Sequence, residues 1–172
     1  QTVRWIELNI VVTADTHIPG RGKHLPSNLL KACETADLII HAGDFKCLEV
    51  YEQLKEYADV VGVYGNVDGE DIKSIFPAKQ IIDVMGKKIG VVHGHGETKT
   101  TERRALEAFA EDNVDIIIFG HSHIPFVKYF KKTLLFNPGS PTDKRTLPYY
   151  SYGLLQIEEE IKAEIIFFSS KE

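Results

Sequence analysis

The chain has 172 residues, of which 43% are hydrophobic and 26% are charged, and its formal net charge is -5. This length suits one domain with a sizeable core, so we expect residues 1–172 to form a single domain. The acidic balance disfavours a general nucleic-acid binder, and no apolar run approaches the roughly 20 residues of a membrane span. The two cysteines, Cys33 and Cys47, match neither a disulfide framework nor a zinc ribbon, which fits a reducing cytoplasm. Because residue 1 is Gln, we expect residues 1–5 to be trimmed or altered at the natural start.

The first part of the chain alternates predicted strands with predicted helices. Apolar, β-branched runs at residues 8–13, 38–40 and 60–64 predict buried strands, and apolar stripes at helical spacing predict helices over 27–36 and 47–57. This alternation implies a parallel sheet. Ligands of such sheets bind beyond the carboxyl ends of the strands, and each of these strands is followed by a potential metal ligand.

The rest of the chain is richer in strands. Its predicted elements are two hairpins, one helix and three further strands, at residues 80–92, 126–136, 101–112, 114–119, 149–157 and 161–168. Many strands and few helices indicate two sheets packed together, with helices on their outer faces.

Seven polar side chains share one position in this pattern, because each follows a predicted strand. They are Asp15, His17, Asp44, Asn66, His93, His121 and His123. Such a mixture of nitrogen and oxygen ligands suits Mn²⁺, Ni²⁺, Co²⁺, Zn²⁺ or Fe. Seven ligands are too many for one tetrahedral ion. The pattern therefore predicts two ions with one carboxylate between them.

Taken singly, each of these residues also suits an ordinary structural role. Asp44 precedes a predicted helix, where Asp is often an N-cap. Asn66 lies in an ordinary Gly-Asn turn dipeptide, and His93 suits a buried strand end. All of these structural roles would have to coincide at one edge of one sheet, so the joint occurrence favours a metal site.

Five blocks occur in order between Asp15 and His123: Asp-x-His, Gly-Asp, Gly-Asn, His and Gly-His-x-His. In these blocks the chain closely resembles the calcineurin-like metallophosphoesterase superfamily. Its length, the His-Gly-His block at 93–95 and the Asn-Pro-Gly-Ser loop at 137–140 are similar to the small, single-domain prokaryotic phosphodiesterase branch. The resemblance implies an α/β fold, a four-layer α/β/β/α sandwich of two mixed β-sheets flanked by helices.

The resemblance also implies two divalent ions, with manganese foremost, and divides the ligands between them. One ion would bind Asp15, His17 and His123, the other would bind Asn66, His93 and His121, and Asp44 would bridge the two.

The implied reaction is hydrolysis of a phosphodiester by in-line attack of a metal-bridging hydroxide. Two ions about 3.5–4 Å apart can hold hydroxide and grip phosphoryl oxygens, and metal binding lowers the pKa of water toward about 7. The positive charge of the ions favours a small anionic phosphodiester, nucleotide-like in size, despite the net charge of the chain. An extended nucleic-acid footprint is not expected, because Lys131-Lys132 is too small a basic cluster.

One position departs from the family pattern. Many members have His directly after Gly-Asn, where this chain has Val67, which cannot protonate a leaving alkoxide or stabilise its charge. His95 is the candidate for the missing general acid, a role worth roughly 10²–10⁴-fold in rate. Asp68 and His41 are candidates for orienting a metal-bound imidazole from behind. The alternatives for these two are an ordinary turn Asp and a core His.

Two functions from different classes remain at this stage. The first is the metal-dependent phosphodiesterase, and the second is a non-catalytic, metal-binding scaffold on the same fold, a Vps29-like protein-interaction module. The complete ligand set favours the enzyme, because a scaffold does not need all seven side chains, whereas Val67 favours the scaffold.

Two surface features are less specific. The loop at 137–148, with Lys144 and Arg145, is expected either to border the substrate or to be a mobile surface loop. The exposed strand edges of the late hairpins leave open pairing across a homo-oligomer.

Overall fold

The computed structural model describes residues 7–172, which form two five-stranded sheets and four helices. The expectation for residues 1–5 lies outside the described residues. The helices are α1 (Ser27–Cys33), α2 (Leu48–Lys55), α3 (Glu70–Lys73) and α4 (Thr101–Ala108). The strands are β1 (Leu8–Thr13), β2 (Leu38–His41), β3 (Asp59–Gly62), β4 (Lys79–Val84), β5 (Lys87–Val92), β6 (Ile116–Ile118), β7 (Phe126–Phe130), β8 (Thr133–Asn137), β9 (Tyr150–Ile157) and β10 (Ile161–Phe168).

The first sheet has the order β10-β9-β1-β2-β3. Strands β1, β2 and β3 are parallel, with Val12 opposite Ile40 and Ile40 opposite Val61. Strands β9 and β10 form an antiparallel hairpin beside β1. The parallel arrangement predicted for the first part of the chain is confirmed.

The second sheet has the order β4-β5-β6-β8-β7. Its three central strands, β5, β6 and β8, are parallel, and the outer strands β4 and β7 are the antiparallel arms of the two predicted hairpins. Both sheets are therefore mixed.

Alternation along the strands produces four layers. In β1, Ile10 and Val12 pack in the core between the sheets, together with Ile89 and Phe136 of the second sheet. The intervening Val11 points to the opposite face, as successive strand residues do, and packs in a cluster with residues of α1, α2 and α3. A third cluster joins α4 to the outer face of the second sheet. The predicted four-layer α/β/β/α sandwich is confirmed.

The elements differ from the prediction mainly in length. Helix α1 ends at Cys33 rather than near residue 36, and β6 covers three residues of the predicted strand at 114–119. Helix α3 was not predicted, because four residues are too few to show a helical period. Within residues 7–172, none of the helices has the length and apolar character needed to cross a membrane.

The carboxyl ends of the central strands of both sheets meet at one edge of the sandwich. The N–H of Asp15, after β1, donates to the carbonyl of Gly43, after β2, over 2.9 Å. In the second sheet the N–H of Gly120, after β6, donates to the carbonyl of His93, after β5, over 3.0 Å. These bonds hold together the loops that carry the predicted ligands.

Candidate metal centre

The predicted ligands lie in loops with an unusual backbone. Positive φ angles occur at Asp15 (54°), His17 (44°), Asp44 (61°), His121 (70°) and His123 (61°). Residues other than glycine rarely adopt this left-handed conformation, and strained residues of this kind cluster at functional sites. The loops therefore hold these residues in an unfavourable backbone conformation that sets the direction of their side chains.

One carboxylate oxygen occupies the centre of the cluster. Asp15 Oδ1 lies 3.7 Å from His17 Nε2, 3.8 Å from His93 Nε2 and 3.6 Å from His123 Nε2. The Asp15 side chain is fully buried, and Oδ1 has no hydrogen-bond partner among the described residues. A buried carboxylate oxygen without a partner is costly unless a cation or a donor satisfies it.

Asp44 contacts one imidazole from each predicted ligand set. Its Oδ2 lies 3.3 Å from His17 Nε2 and 3.1 Å from His93 Nε2. Its Oδ1 accepts a hydrogen bond of 3.0 Å from the N–H of Val67. The carboxylate is thus held with one oxygen facing the cluster.

Hydrogen bonds fix the tautomers of two imidazoles. His93 Nδ1 lies 2.8 Å from the carbonyl of Ala42, and His123 Nδ1 lies 2.9 Å from the carbonyl of Asp143. Because a carbonyl only accepts, each Nδ1 carries hydrogen, and the neutral ring has its lone pair on Nε2. Those lone pairs face carboxylate oxygens, an arrangement that suits metal cations between them. The donor set therefore fits the divalent ions implied by the sequence.

The predicted ligands differ in how close their ligand atoms lie to one another. Ligand atoms lie within 4.8 Å of one another in two groups, Asp15 with His17 and His123, and Asp15 with Asp44 and His93. The amide oxygen of Asn66 lies 3.1 Å from His93 Nε2. Neither group includes His121, whose ring centroid is 5.3 Å from that of His93 and whose N–H donates to Asp15 Oδ2 over 2.9 Å.

The carboxylates of the cluster control the protonation of its imidazoles. Burial disfavours a charged His17 imidazole, but the carboxylates of Asp15 and Asp44 outweigh it and raise the pKa of His17 to about 9. Burial opposes and the same carboxylates support the charged form of His93, whose pKa is also raised. Burial would raise the pKa of Asp44, but His17 and His93 hold it far below its usual range. The protonated imidazoles thus provide positive charge that stabilises the ionised carboxylates.

His41 and Asp68 contact backbone and hydroxyl groups of the ligand loops rather than a ligand imidazole. His41 is buried, accepts from the N–H of Gly43 at 3.2 Å, and places Nε2 3.1 Å from Thr16 Oγ1. Burial lowers its pKa to about 3, so it stays neutral. Asp68 accepts hydrogen bonds from the N–H groups of Asp44, Gly65 and Lys46, at 2.9, 2.8 and 2.7 Å. Asp44 is not a helix cap, because the N-cap of α2 is Cys47.

His95 is exposed at the side of the site formed by His93 and His121. Its ring centroid lies 5.5 Å from that of His93 and 6.4 Å from that of His121. Burial of part of the ring, together with neighbouring His93, lowers its pKa.

Two glycines of the motifs allow close approach. A Cβ at Gly65 would collide with the carboxylate of Asp44, and a Cβ at Gly120 would lie 2.9 Å from Asp15 Oδ2. The glycines of the Gly-Asn and Gly-His blocks therefore leave room for the two carboxylates.

The loop after β8 supports the site in a way that residue patterns alone did not reveal. Ser140 Oγ donates to the carbonyl of Asp15 at 2.8 Å, and Thr142 Oγ1 donates to the carbonyl of Thr16 at 2.6 Å. Asn137 Nδ2 donates to the carbonyl of Gly120 at 3.1 Å. The Asn-Pro-Gly-Ser block was the signal available for part of this network, whereas nothing marked Thr142.

Comparison with known proteins agrees with this geometry. The family model of the calcineurin-like phosphoesterase superfamily domain matches residues 8–160. A protein of Methanocaldococcus jannaschii named probable metallophosphoesterase is 37% identical over 158 residues, 91% of this chain and 80% of that protein. A second protein of the same organism, named phosphodiesterase, is 28% identical over 178 residues, 92% of this chain and 99% of that protein.

The fold is also found in solved structures. The crystal structure of Vps29 from Entamoeba histolytica complexed with Zn²⁺ has a TM-score of 0.73 and 24% identity, and the match covers 93% of this chain and 99% of that one. This last likeness concerns the fold alone. The family match and the archaeal relative that is 37% identical establish that the chain belongs to the calcineurin-like phosphoesterase superfamily.

Proposed function

We propose that this protein is a binuclear metal-dependent phosphodiesterase. The observation that carries the proposal is the environment of Asp15 Oδ1, a buried oxygen without a hydrogen-bond partner among residues 7–172, faced by the Nε2 atoms of three histidines. Only cations or protons satisfy such a cluster. Because the chain belongs to a metallophosphoesterase family, metal cations are favoured.

The ligand assignment that we propose follows the sequence motifs. One ion would be held by Asp15, His17 and His123, the other would be held by Asn66, His93 and His121, and Asp44 would be shared between them. The contacts of Asp44 Oδ2 with both His17 and His93 support the bridge. For His121 the support is its motif and the adjacency of its ring to His93. Manganese is the proposed metal, with Ni²⁺, Co²⁺, Zn²⁺ and Fe as the other ions that these ligands suit.

The side chains of the site have separable roles. Divalent ions in such a site supply Lewis acidity toward phosphoryl oxygens and an activated water as nucleophile. Asp15 and Asp44 contribute the negative charge that retains the cations, and the carbonyls of Ala42 and Asp143 keep Nε2 of His93 and His123 free for coordination. We propose that His95, exposed beside His93, protonates the leaving oxygen, since Val67 cannot do so.

A small phosphodiester is the proposed substrate, and the relative named phosphodiesterase supports this choice. We also propose a cytoplasmic location, because both cysteines, Cys33 and Cys47, are free thiols, which suits a reducing compartment.

The second candidate is a metal-binding scaffold. Val67, 42% exposed beside the site, favours it, because an apolar side chain there gives no help to a leaving group. The distinguishing experiment is hydrolysis of bis(4-nitrophenyl) phosphate and of 4-nitrophenyl phosphate with Mn²⁺ or with a chelator. We expect Mn²⁺-dependent cleavage that favours the diester. If the protein binds metal but cleaves neither ester with Mn²⁺, Ni²⁺, Co²⁺, Zn²⁺ or Fe, the scaffold is correct.

A further inference from the structure

A cleft of about 750 Å³ opens directly beside the metal centre. Its lining includes His17 and His123 of the candidate centre and three cationic side chains, Arg21, Lys46 and Arg145. A volume in this range is typical of sites for small molecules. The cleft is therefore large enough to receive a substrate group beyond the scissile phosphate.

The cleft is positively charged although the chain is acidic. The chain as a whole has a net charge of -5, whereas the cleft lining contains three cations and one carboxylate, that of Asp143. Arg21 Nε pairs with Asp143 Oδ2 at 3.2 Å. The Arg145 guanidinium donates to the carbonyl of Ser122 at 3.3 Å. Across residues 7–172 neither this guanidinium nor the Lys46 ammonium group forms an ion pair with a carboxylate within 4.0 Å, although the backbone N–H of each residue donates to one. Two cationic side chains of the cleft thus have no ion-pair partner among the described residues.

Lys46, whose ammonium group belongs to the cleft, has an unfavourable backbone conformation. Lys46 has a φ of 76°, and Asp68 holds this conformation by accepting its N–H at 2.7 Å. On the opposite side Gly20 leaves the space that the ammonium occupies, because a Cβ there would lie 2.7 Å from Lys46 Nζ. Lysine rarely adopts this left-handed conformation. Asp68 thus positions both Asp44 of the metal centre and Lys46 of the cleft.

We infer that the cleft binds a second anionic group of the substrate, and that the substrate class is a phosphodiester carrying a further phosphate. The inference rests on the proposed function, since it concerns the substrate of the same site. Phosphate suits this lining because guanidinium and ammonium groups donate several charge-assisted hydrogen bonds to its oxygens. A nucleotide-sized diester with a terminal phosphate has both the charge and the size.

The test uses two substrates that differ only in the second phosphate. They are the 4-nitrophenyl ester of thymidine 5′-phosphate and the same ester with a 3′-phosphate, each assayed with the Mn²⁺-loaded protein. We expect kcat/KM to be about tenfold higher for the 3′-phosphorylated ester, the value of one charge-assisted contact. Lys46→Gln and Arg145→Gln should bring that ratio toward one, mainly through KM, and Lys46→Arg should retain most of it.

Lys131→Gln is the matched control. Lys131 is an exposed lysine with a φ of 54° in the hairpin between β7 and β8, so it matches Lys46 in charge and in backbone conformation but lies outside the cleft lining. It should leave the substrate ratio unchanged. A wild-type ratio near one, or an equal loss of ratio in Lys131→Gln, would overturn the inference.

Failure of the proposed function is a separate outcome. If the wild-type protein hydrolyses neither ester, calorimetry with Mn²⁺-loaded protein compares thymidine 3′,5′-bisphosphate with thymidine 5′-phosphate. Tighter binding of the bisphosphate that is lost in Lys46→Gln supports an anion-binding cleft without catalysis. Equal binding of the two nucleotides contradicts it.

Discussion

His93 Nε2 lies 3.1 Å from Asp44 Oδ2, and this contact joins the two β-sheets of the sandwich. Asp44 follows β2 of the first sheet and His93 follows β5 of the second. The candidate centre therefore spans the seam between the sheets, and ions bound there connect loops from both. Metal binding should consequently affect the stability of the whole fold as well as the site.

The first prediction concerns this linkage. At a free Mn²⁺ concentration of 100 times Kd, binding to the folded state alone stabilises it by about 2.7 kcal/mol, which corresponds to roughly 5–10 °C in Tm for a chain of this size. His93→Ala should abolish the metal-dependent rise in Tm measured by calorimetry. The control is His24→Ala, an exposed loop histidine with no assigned role. Equal metal-induced shifts in the two variants would show that His93 is not a ligand.

The second prediction is a pH dependence of metal binding. The pKa of His17 in the metal-free protein is raised to about 9, by the carboxylates of Asp15 and Asp44 against the opposing effect of burial. Below pH 9 the ion must displace a proton from His17, so Mn²⁺ affinity should rise with pH by up to about tenfold per unit and level off above pH 9. Calorimetry in buffers of different ionisation enthalpy should detect the released proton. An affinity that is constant from pH 7 to pH 9 would contradict the role of His17.

The third prediction separates His95 from the metal ligands. A general acid matters for a poor leaving group and little for 4-nitrophenolate, which leaves without a proton. His95→Ala should therefore lower kcat only slightly for methyl 4-nitrophenyl phosphate, from which nitrophenolate leaves. For a diester with an alkyl leaving group, it should lower kcat by about 10²-fold or more. The measurement is the dependence of kcat on leaving-group pKa, which should steepen in the variant. An unchanged slope would remove His95 from the reaction.

The fourth prediction tests the loop after β8. Thr142→Val removes the hydroxyl that donates to the carbonyl of Thr16 between Asp15 and His17, and leaves that buried carbonyl unsatisfied, at a cost of about 1–3 kcal/mol in unfolding free energy. It should also weaken Mn²⁺ binding by about 10–100-fold, as changes behind metal ligands do.

Thr133→Val is the control for this change. Thr133 makes a comparable 3.0 Å hydrogen bond to the carbonyl of Val114, at the start of β8 and away from the site. It should lower stability without changing metal affinity. Equal metal affinities in the two variants would mean that Thr142 supports the fold alone.

The sequence predicted which loops lie together at the sheet edge, because each candidate ligand follows an apolar strand and the ends of these strands converge. The run Ile116–Ile118 illustrates this, since the strand is buried and the polar residues begin a few positions later. Contacts between distant loops could not be predicted in the same way. Thr142 and Thr16 are 126 positions apart, and a threonine after a proline has no local feature that reveals its partner.

The cationic cleft shows a second limit of sequence reasoning. Lys144 and Arg145 are neighbours in the loop that the sequence places either beside the substrate or on a mobile surface, but Arg145 alone of the pair lines the cleft. Lys144 instead lies over the ring of Tyr150, with its Nζ 4.9 Å from the centroid. Arg145 has a positive φ of 50°, and no residue pattern predicts a left-handed arginine.

The most direct measurement is a titration of the metal-free protein with Mn²⁺, followed simultaneously by metal occupancy and by hydrolysis of bis(4-nitrophenyl) phosphate. We expect hydrolysis to reach its maximum when two ions are bound per chain. Asp44→Asn should reduce this rate by at least about 100-fold, because two-ion sites contribute several kcal/mol to the transition state. Full occupancy without hydrolysis, or full activity with one ion bound, would contradict the binuclear phosphodiesterase.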